Sequence, residues 1–148
     1  MKNKIFWLIM LILILTVSCG EKNNTSGTDG SKEIVLRFLW WGSESRHKAT
    51  LDAIKLFEEK NPGIKIKAEY GGTDGYFQKL STQLTGNTAP DIMQVDYIWL
   101  FNFSKNGDGF YDINLLKDEF NLANYTKEDL SYTTINGKLN AIPVGMNG

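Results

Sequence analysis

Two short segments gather residue types able to hold a solute. The first is Trp40-Trp41-Gly42-Ser43-Glu44-Ser45-Arg46-His47, and the second is Gln94-Val95-Asp96-Tyr97 followed by Trp99. A pyranose presents a C–H-rich face and a rim of hydroxyls. It therefore suits an apolar wall of indole and phenol rings edged by a few convergent polar groups. Trp40, Trp41, Glu44, Arg46, Asp96, Tyr97 and Trp99 are the candidate ligand-binding residues. Each also has a structural alternative. Adjacent strand residues point to opposite faces, so at least one of Trp40 and Trp41 is expected in the core. Glu44 suits the first turn of a helix, Asp96 suits a helix cap, and Tyr97 to Phe103 could simply cover a sheet. His47 reads as a surface or capping residue. One stacked indole face of ~100 Å² gives roughly 2.5 kcal/mol, whereas micromolar binding needs about 8 kcal/mol net. Two rings on one surface fall short, and a second surface closing over the solute is required.

Other chemistries find no residues to support them. The 148 residues carry 16 basic and 17 acidic side chains, a net charge of −1, which provides no basic field for nucleic acid. The single Cys excludes an internal disulfide or Cys-based zinc cluster, and the single His excludes a multi-histidine metal site. Gly71-Gly72 fits neither dinucleotide nor P-loop phosphate patterns. Asp108 and Asp112 miss the spacing of a calcium loop and read as turn residues. No metal or cofactor is expected, and the chain reads as a binding protein, not an enzyme. A glycan hydrolase remains the enzymatic alternative, since Glu44 and Asp96 could in principle meet as a carboxyl pair at about 5–5.5 Å. A surface adhesion module is a third reading.

Strand and helix signals alternate along the chain. Ile34 to Trp41 reads as a strand covered on both faces, interrupted only by Arg37. Glu44 to Lys60 follows with helical spacing at Ala49, Ala53 and Leu56 and at Thr50, Ile54 and Phe57, and Asn61-Pro62-Gly63 stops it. Ile64, Ile66, Ala68 and Tyr70 alternate with Lys65, Lys67 and Glu69, as in a half-buried strand whose lysines mark a solvated face or sheet edge. Asp74 is placed as N-cap of a second helix running to Leu84, with Phe77, Leu80 and Leu84 as its stripe. Ile92 to Val95 is a third strand. Tyr97 to Phe103 is a short helix or turn, and 106–112 is a loop. Thr126 and Asp129 form a capping box, and Asn136-Gly137 turns a hairpin between Tyr132–Ile135 and Lys138–Ile142. The order βαβαβ with right-handed crossovers predicts an α/β fold with a parallel sheet. Solutes bind beyond the carboxyl ends of strands in such sheets, where both segments above lie.

The N-terminus reads as an address. Lys2 and Lys4 precede an apolar run from Ile5 to Val17, which spans roughly 20 Å as a helix against a membrane core of about 30 Å. This is a secretory signal pattern, residues 1–18. Leu15-Thr16-Val17-Ser18-Cys19 resembles a bacterial lipobox, with Thr16 where Leu is usual. That resemblance implies cleavage before Cys19 and lipidation of its thiol, hence attachment to the membrane through acyl chains. A plain secretory signal with an incidental Cys is the alternative. Residues 19–33 lack core-forming side chains over most of their length and read as a flexible tether.

From residue 34 onward the chain resembles the extracellular solute-binding lipoproteins of bacterial ABC importers, family 1, the group that includes maltodextrin-binding proteins. The resemblance rests on Phe38-Leu39-Trp40-Trp41-Gly42 with Arg46-His47, on the run from Phe57 to Ile66, and on Tyr76-Phe77-Gln78-Lys79-Leu80. It continues through Gly86 to Asp96 and ends with Asn136 to Pro143. It implies a periplasmic-binding-protein-like fold of two α/β lobes with a solute trapped between them and delivered to the transmembrane subunits of a permease. Residues 34–148 would then be the N-terminal lobe, reaching the first hinge crossing near 142–148. Met146 and Asn147 would lie at the hinge side of the cleft, which adds Asn147 to the ligand-binding candidates. The implied ligand is a small carbohydrate, the implied location extracytoplasmic and lipid-anchored. The family length implies that this chain is the front portion of a longer protein, with most of the second lobe absent.

Overall fold

The first apolar run forms β1, Ile34–Trp41, the middle strand of a three-stranded parallel sheet ordered β2-β1-β3. The computed structural model describes residues 32–145. The expected signal segment, most of the tether, Cys19, Met146 and Asn147 lie outside the described residues. Helix α1, Glu44–Lys60, returns the chain to β2, Ile64–Gly71. Helix α2, Tyr76–Thr85, leads to β3, Ile92–Met93, and helix α3, Tyr97–Phe103, follows directly. Beyond it come 3-10 turns at Ile113–Leu116 and Leu122–Asn124, helix α4 at Lys127–Ser131, and a hairpin of β4, Thr134–Ile135, with β5, Lys138–Leu139.

Strand β1 is covered unevenly. Its start is open, with Val35 exposed, and its carboxyl half is closed, with Leu39 at 1%. Leu39 packs with Tyr76 and Leu80 of α2, and Trp41, Met93, Trp99 and Phe103 gather around them. The carboxyl end is therefore the rigid end of the sheet. Arg37, the one charge in β1, is paired in the first half of the strand: Nε donates to Glu69 Oε1 at 2.8 Å and Nη1 to the Thr88 carbonyl at 2.7 Å. The ion pair holds the Glu69 carboxyl below its usual range.

Several boundaries move from their sequence expectation. Helix α1 turns His47, Thr50, Leu51, Ile54 and Glu58 inward and leaves Leu56 and Phe57 exposed. Glu58 turns inward because β2 is an edge strand with unpaired groups. Its carboxylate accepts from Ile66 N at 2.7 Å and from Lys65 Nζ at 3.1 Å, which satisfies part of that edge. Gly75, not Asp74, precedes α2. It has φ 72°, a left-handed conformation that glycine adopts without a steric penalty. Strand β3 stops at Met93, although Gln94 N still donates to the Leu39 carbonyl at 2.8 Å. The hairpin strands are also shorter than expected, because Tyr132 closes α4 and Asn140 turns its amide onto Ser104, Gly107 and Phe110. The capping box at Thr126 and Asp129 and the Asn136-Gly137 turn, with φ 49° and 78°, form as expected.

Candidate functional site

Strand alternation separates the two adjacent indoles. Trp40 turns toward α1 and is only 2% exposed. Its Nε1 donates to His47 Nδ1 at 3.1 Å, and its ring stacks on Tyr70 with centroids 4.9 Å apart. Phe38 packs alongside at 4.9 Å. Trp40 thus occupies a closed packing layer, apart from the other candidates. His47 is buried with it and serves as the acceptor for the indole instead of lying at the surface.

Trp41 turns to the opposite face and meets residues from two later elements. Its ring lies 4.8 Å from Tyr76 of α2 and 5.5 Å from Trp99 of α3, tilted 45° to the latter. Trp99 also meets Phe77 edge-on at 5.2 Å. The half-buried indoles of Trp41 and Trp99, distant in sequence, therefore form one aromatic corner where the sheet is most rigid. Tyr76 fixes that corner from below. Its hydroxyl donates toward the Gln94 carbonyl at 2.8 Å and the Leu39 carbonyl at 3.2 Å, tying α2 to the ends of β3 and β1. Burial pushes this phenol well above the usual tyrosine range.

The polar candidates divide by role. Asp96 Oδ1 accepts from Ile98 N at 3.2 Å and caps α3, which aims Trp99 back at Trp41. Tyr97, on the outer side of α3, is 64% exposed and meets Tyr132 edge-on at 6.2 Å. Glu44 occupies the exposed first turn of α1. Arg46, two residues on, runs its stem back over Gly42.

Gln94 is the polar residue that sequence reasoning left out of the candidate set, and it joins the two strand ends. The amide has two orientations: in one Oε1 accepts from Trp41 N at 3.3 Å, and in the other it faces the guanidinium, which has only donors. In that orientation Oε1 accepts from Arg46 Nη1 at 3.2 Å and Nε2 donates to the Trp41 carbonyl at 3.2 Å. The signal available in the sequence was position alone, at the end of β3 beside Asp96. Tyr76 carried even less, since it lies outside the Phe77, Leu80 and Leu84 stripe.

A small cavity of about 150 Å³ opens at the carboxyl end of β2, bounded by Gly71, Gly72, Tyr76 and Lys79 among others. A larger hollow of about 450 Å³ lies between α2 and α3, lined by Phe77, Ser81, Leu84, Thr85, Asn102 and Phe103. The larger one has no charged lining residue, so the charged and aromatic convergence at the strand ends is the better candidate site. Among the described residues, no cluster of three His, Cys, Asp or Glu is placed to hold a metal ion.

Comparison with known proteins gives the family and the fold. The family model for bacterial extracellular solute-binding proteins matches residues 41–135. A curated relative from Brucella abortus, named as a binding protein without a stated ligand, is 30% identical over 95 residues, 61% of this chain and 22% of its own length. A periplasmic oligogalacturonide binding protein from Yersinia enterocolitica, solved with saturated digalacturonic acid, is 46% identical with a TM-score of 0.75, over 76% of this chain and 28% of that one. A de novo designed cysteine esterase is also 46% identical, with a TM-score of 0.75 over 77% of this chain and 28% of its own. The chain thus spans about a quarter of the length of these proteins. Its parallel sheet and flanking helices are those of a periplasmic-binding-protein-like lobe. The chain belongs to the bacterial extracellular solute-binding proteins.

Proposed function

We propose that this chain supplies one wall of the solute cleft of an ABC importer's extracytoplasmic binding component, and that the solute is a sugar or oligosaccharide. The observation that carries this reading is the aromatic corner of Trp41 and Trp99, 5.5 Å apart, beside the Arg46–Gln94 contact. Rings from two elements offer apolar faces to a pyranose, and the guanidinium offers donors to its rim. The oligogalacturonide binding protein, 46% identical over most of this chain, supports the same class of ligand.

In this reading Trp41, Trp99 and Arg46 touch the solute, and Tyr97 and Glu44 lie at the rim. Trp40 supports from behind and Asp96 positions Trp99. A second lobe, beyond this chain, closes over the solute, since contacts made only on closing can drive a hinge motion. Cys19 carries the lipid that holds the protein at the outer face of the membrane, and the closed form is presented to the transmembrane subunits of a permease. The protein traps its solute without transforming it. The similarity to a designed cysteine esterase does not extend to a thiol here, because the single Cys of this chain is Cys19, the residue assigned to the lipid.

The test is calorimetry of the complete mature protein against saturated digalacturonic acid, neutral oligosaccharides, amino acids and short peptides. Trp41→Ala and Trp99→Ala should each weaken sugar binding by about 2 kcal/mol, on the order of thirtyfold in Kd. Heat with amino acids or peptides and none with any sugar overturns the reading.

A further inference from the structure

We infer that Gln94 and Gly42 are positioning residues that hold the Arg46 guanidinium at the strand ends as a receptor for a carboxylate on the solute. The inference rests on the sugar-binding reading above and narrows its ligand to an acidic sugar.

Arg46 sits in the first turns of α1, where a long side chain ordinarily fans out into water. Arg46 is exposed, and two features fix its course along the surface. At Gly42 an added Cβ would overlap Arg46 Cδ and stand 3.0 Å from its Cβ and Cγ, so the stem lies in space that only glycine leaves open. At the far end Gln94 Oε1 accepts from Nη1 at 3.2 Å, while the same amide donates to the Trp41 carbonyl at 3.2 Å. One side chain therefore registers the guanidinium against the backbone that carries the candidate stacking ring.

The rest of the guanidinium is uncommitted. Of its five N–H donors, one meets Gln94, and among the described residues Arg46 forms no ion pair. Glu44 lies two residues away on α1, a spacing at which helix side chains do not face each other. Arg37, by contrast, is spent on Glu69 and on backbone carbonyls. A planar fork of donors, pre-positioned and unpaired, matches a carboxylate with two parallel hydrogen bonds. A neutral hydroxyl would use one of these and leave the charge unanswered.

The experiment has two arms, the first on this chain and the second on the complete mature protein. The first needs no ligand. Arg37 and Arg46 are the only arginines in this sequence, and the Nη1–H resonance of Arg46, the donor that meets Gln94, should show slowed exchange in the wild type. That protection should collapse in Gln94→Leu and in Gly42→Ala, with Arg37 unchanged as the internal reference. Equal behaviour in wild type and both variants overturns the positioning claim.

The second arm is a double-mutant cycle read by calorimetry, with saturated digalacturonic acid and its carboxyl-reduced form as probes. Gln94→Leu should raise Kd for the acid by about tenfold, the worth of a hydrogen bond to a charged group, and leave the reduced sugar nearly unaffected. In an Arg46→Ala background the same substitution should add almost nothing. A Gln94→Leu loss that persists undiminished without Arg46, or that is equal for both probes, overturns the inference. If the wild type binds a neutral oligosaccharide but neither probe, the acidic-sugar inference fails and the sugar reading stands; if it binds no sugar at all, the sugar reading fails, and the first arm alone decides whether Gln94 and Gly42 hold Arg46.

Discussion

Removing the hydroxyl of Tyr76 isolates the tie between α2 and the two strand ends. Tyr76→Phe keeps the ring, which is 4% exposed and 4.8 Å from Trp41, so no cavity opens. It deletes one donor shared by the carbonyls of Gln94, at 2.8 Å, and Leu39, at 3.2 Å. Leu39 keeps a partner, since Gln94 N donates to it at 2.8 Å, whereas the Gln94 carbonyl loses this donor. A net hydrogen bond is worth about 1 kcal/mol, and leaving an acceptor short adds a fraction of its desolvation cost, so a loss of about 1.5 kcal/mol is expected. Tyr76→Ala removes the ring as well and should cost roughly 3–5 kcal/mol. Urea denaturation at neutral pH reads both, with the denaturant slope unchanged for the phenylalanine variant. The gap between wild type and Tyr76→Phe should narrow as pH rises. The folded phenol is raised above its ordinary 10.0, so above that value the unfolded chain ionises first and stability falls. A change below about 0.3 kcal/mol in Tyr76→Phe, well under the worth of one hydrogen bond, would refute the tie. So would a loss equal to that of the alanine variant, because the ring and not the hydroxyl would then carry everything.

Trp40→Phe should cost about 2 kcal/mol by orphaning His47 Nδ1, yet leave sugar affinity within twofold or so, a contrast with Trp41→Ala that calorimetry and urea melts would separate. Glu69→Gln should destabilise the protein at neutral pH. The folded carboxyl is held below its ordinary 4.5, so its contribution is fully present above that value and disappears as pH falls through the lower folded one. Wild-type and variant melting curves should therefore converge in acid, and a constant gap would count against the Arg37–Glu69 pair. Gly137→Ala should cost about 1 kcal/mol because its φ of 78° is left-handed, while Asn136→Gly should be tolerated; thermal unfolding distinguishes the two.

Local pattern was enough to read the skeleton of the lobe. Ile34–Trp41, Glu44–Lys60 and the alternation from Ile64 to Tyr70 were legible because periodicity and the Asn61-Pro62-Gly63 stop are properties of a few neighbouring residues. The capping box at Thr126 and the Asn136-Gly137 turn were legible for the same reason. The inward face of α1 was not. Ala49, Leu56 and Phe57 fit a helical stripe as well as the observed one, and what turns the helix is Glu58 satisfying Ile66 N on a strand reached only after the chain reverses.

The candidate site divides in the same way. Sequence by itself determined that aromatic and charged residues cluster where β1 and β3 end, and that Trp40 and Trp41 must face opposite sides. Which indole would be sealed depended on α1 bringing His47 over Trp40 and on α2 and α3 bringing Tyr76 and Trp99 to Trp41. Gln94 acquires its role only because β3 lies beside β1 with Arg46 folded over Gly42. These decisions belong to tertiary structure, because a hydrogen bond or ring contact between residues fifty positions apart exists only once the chain has closed the sheet between them.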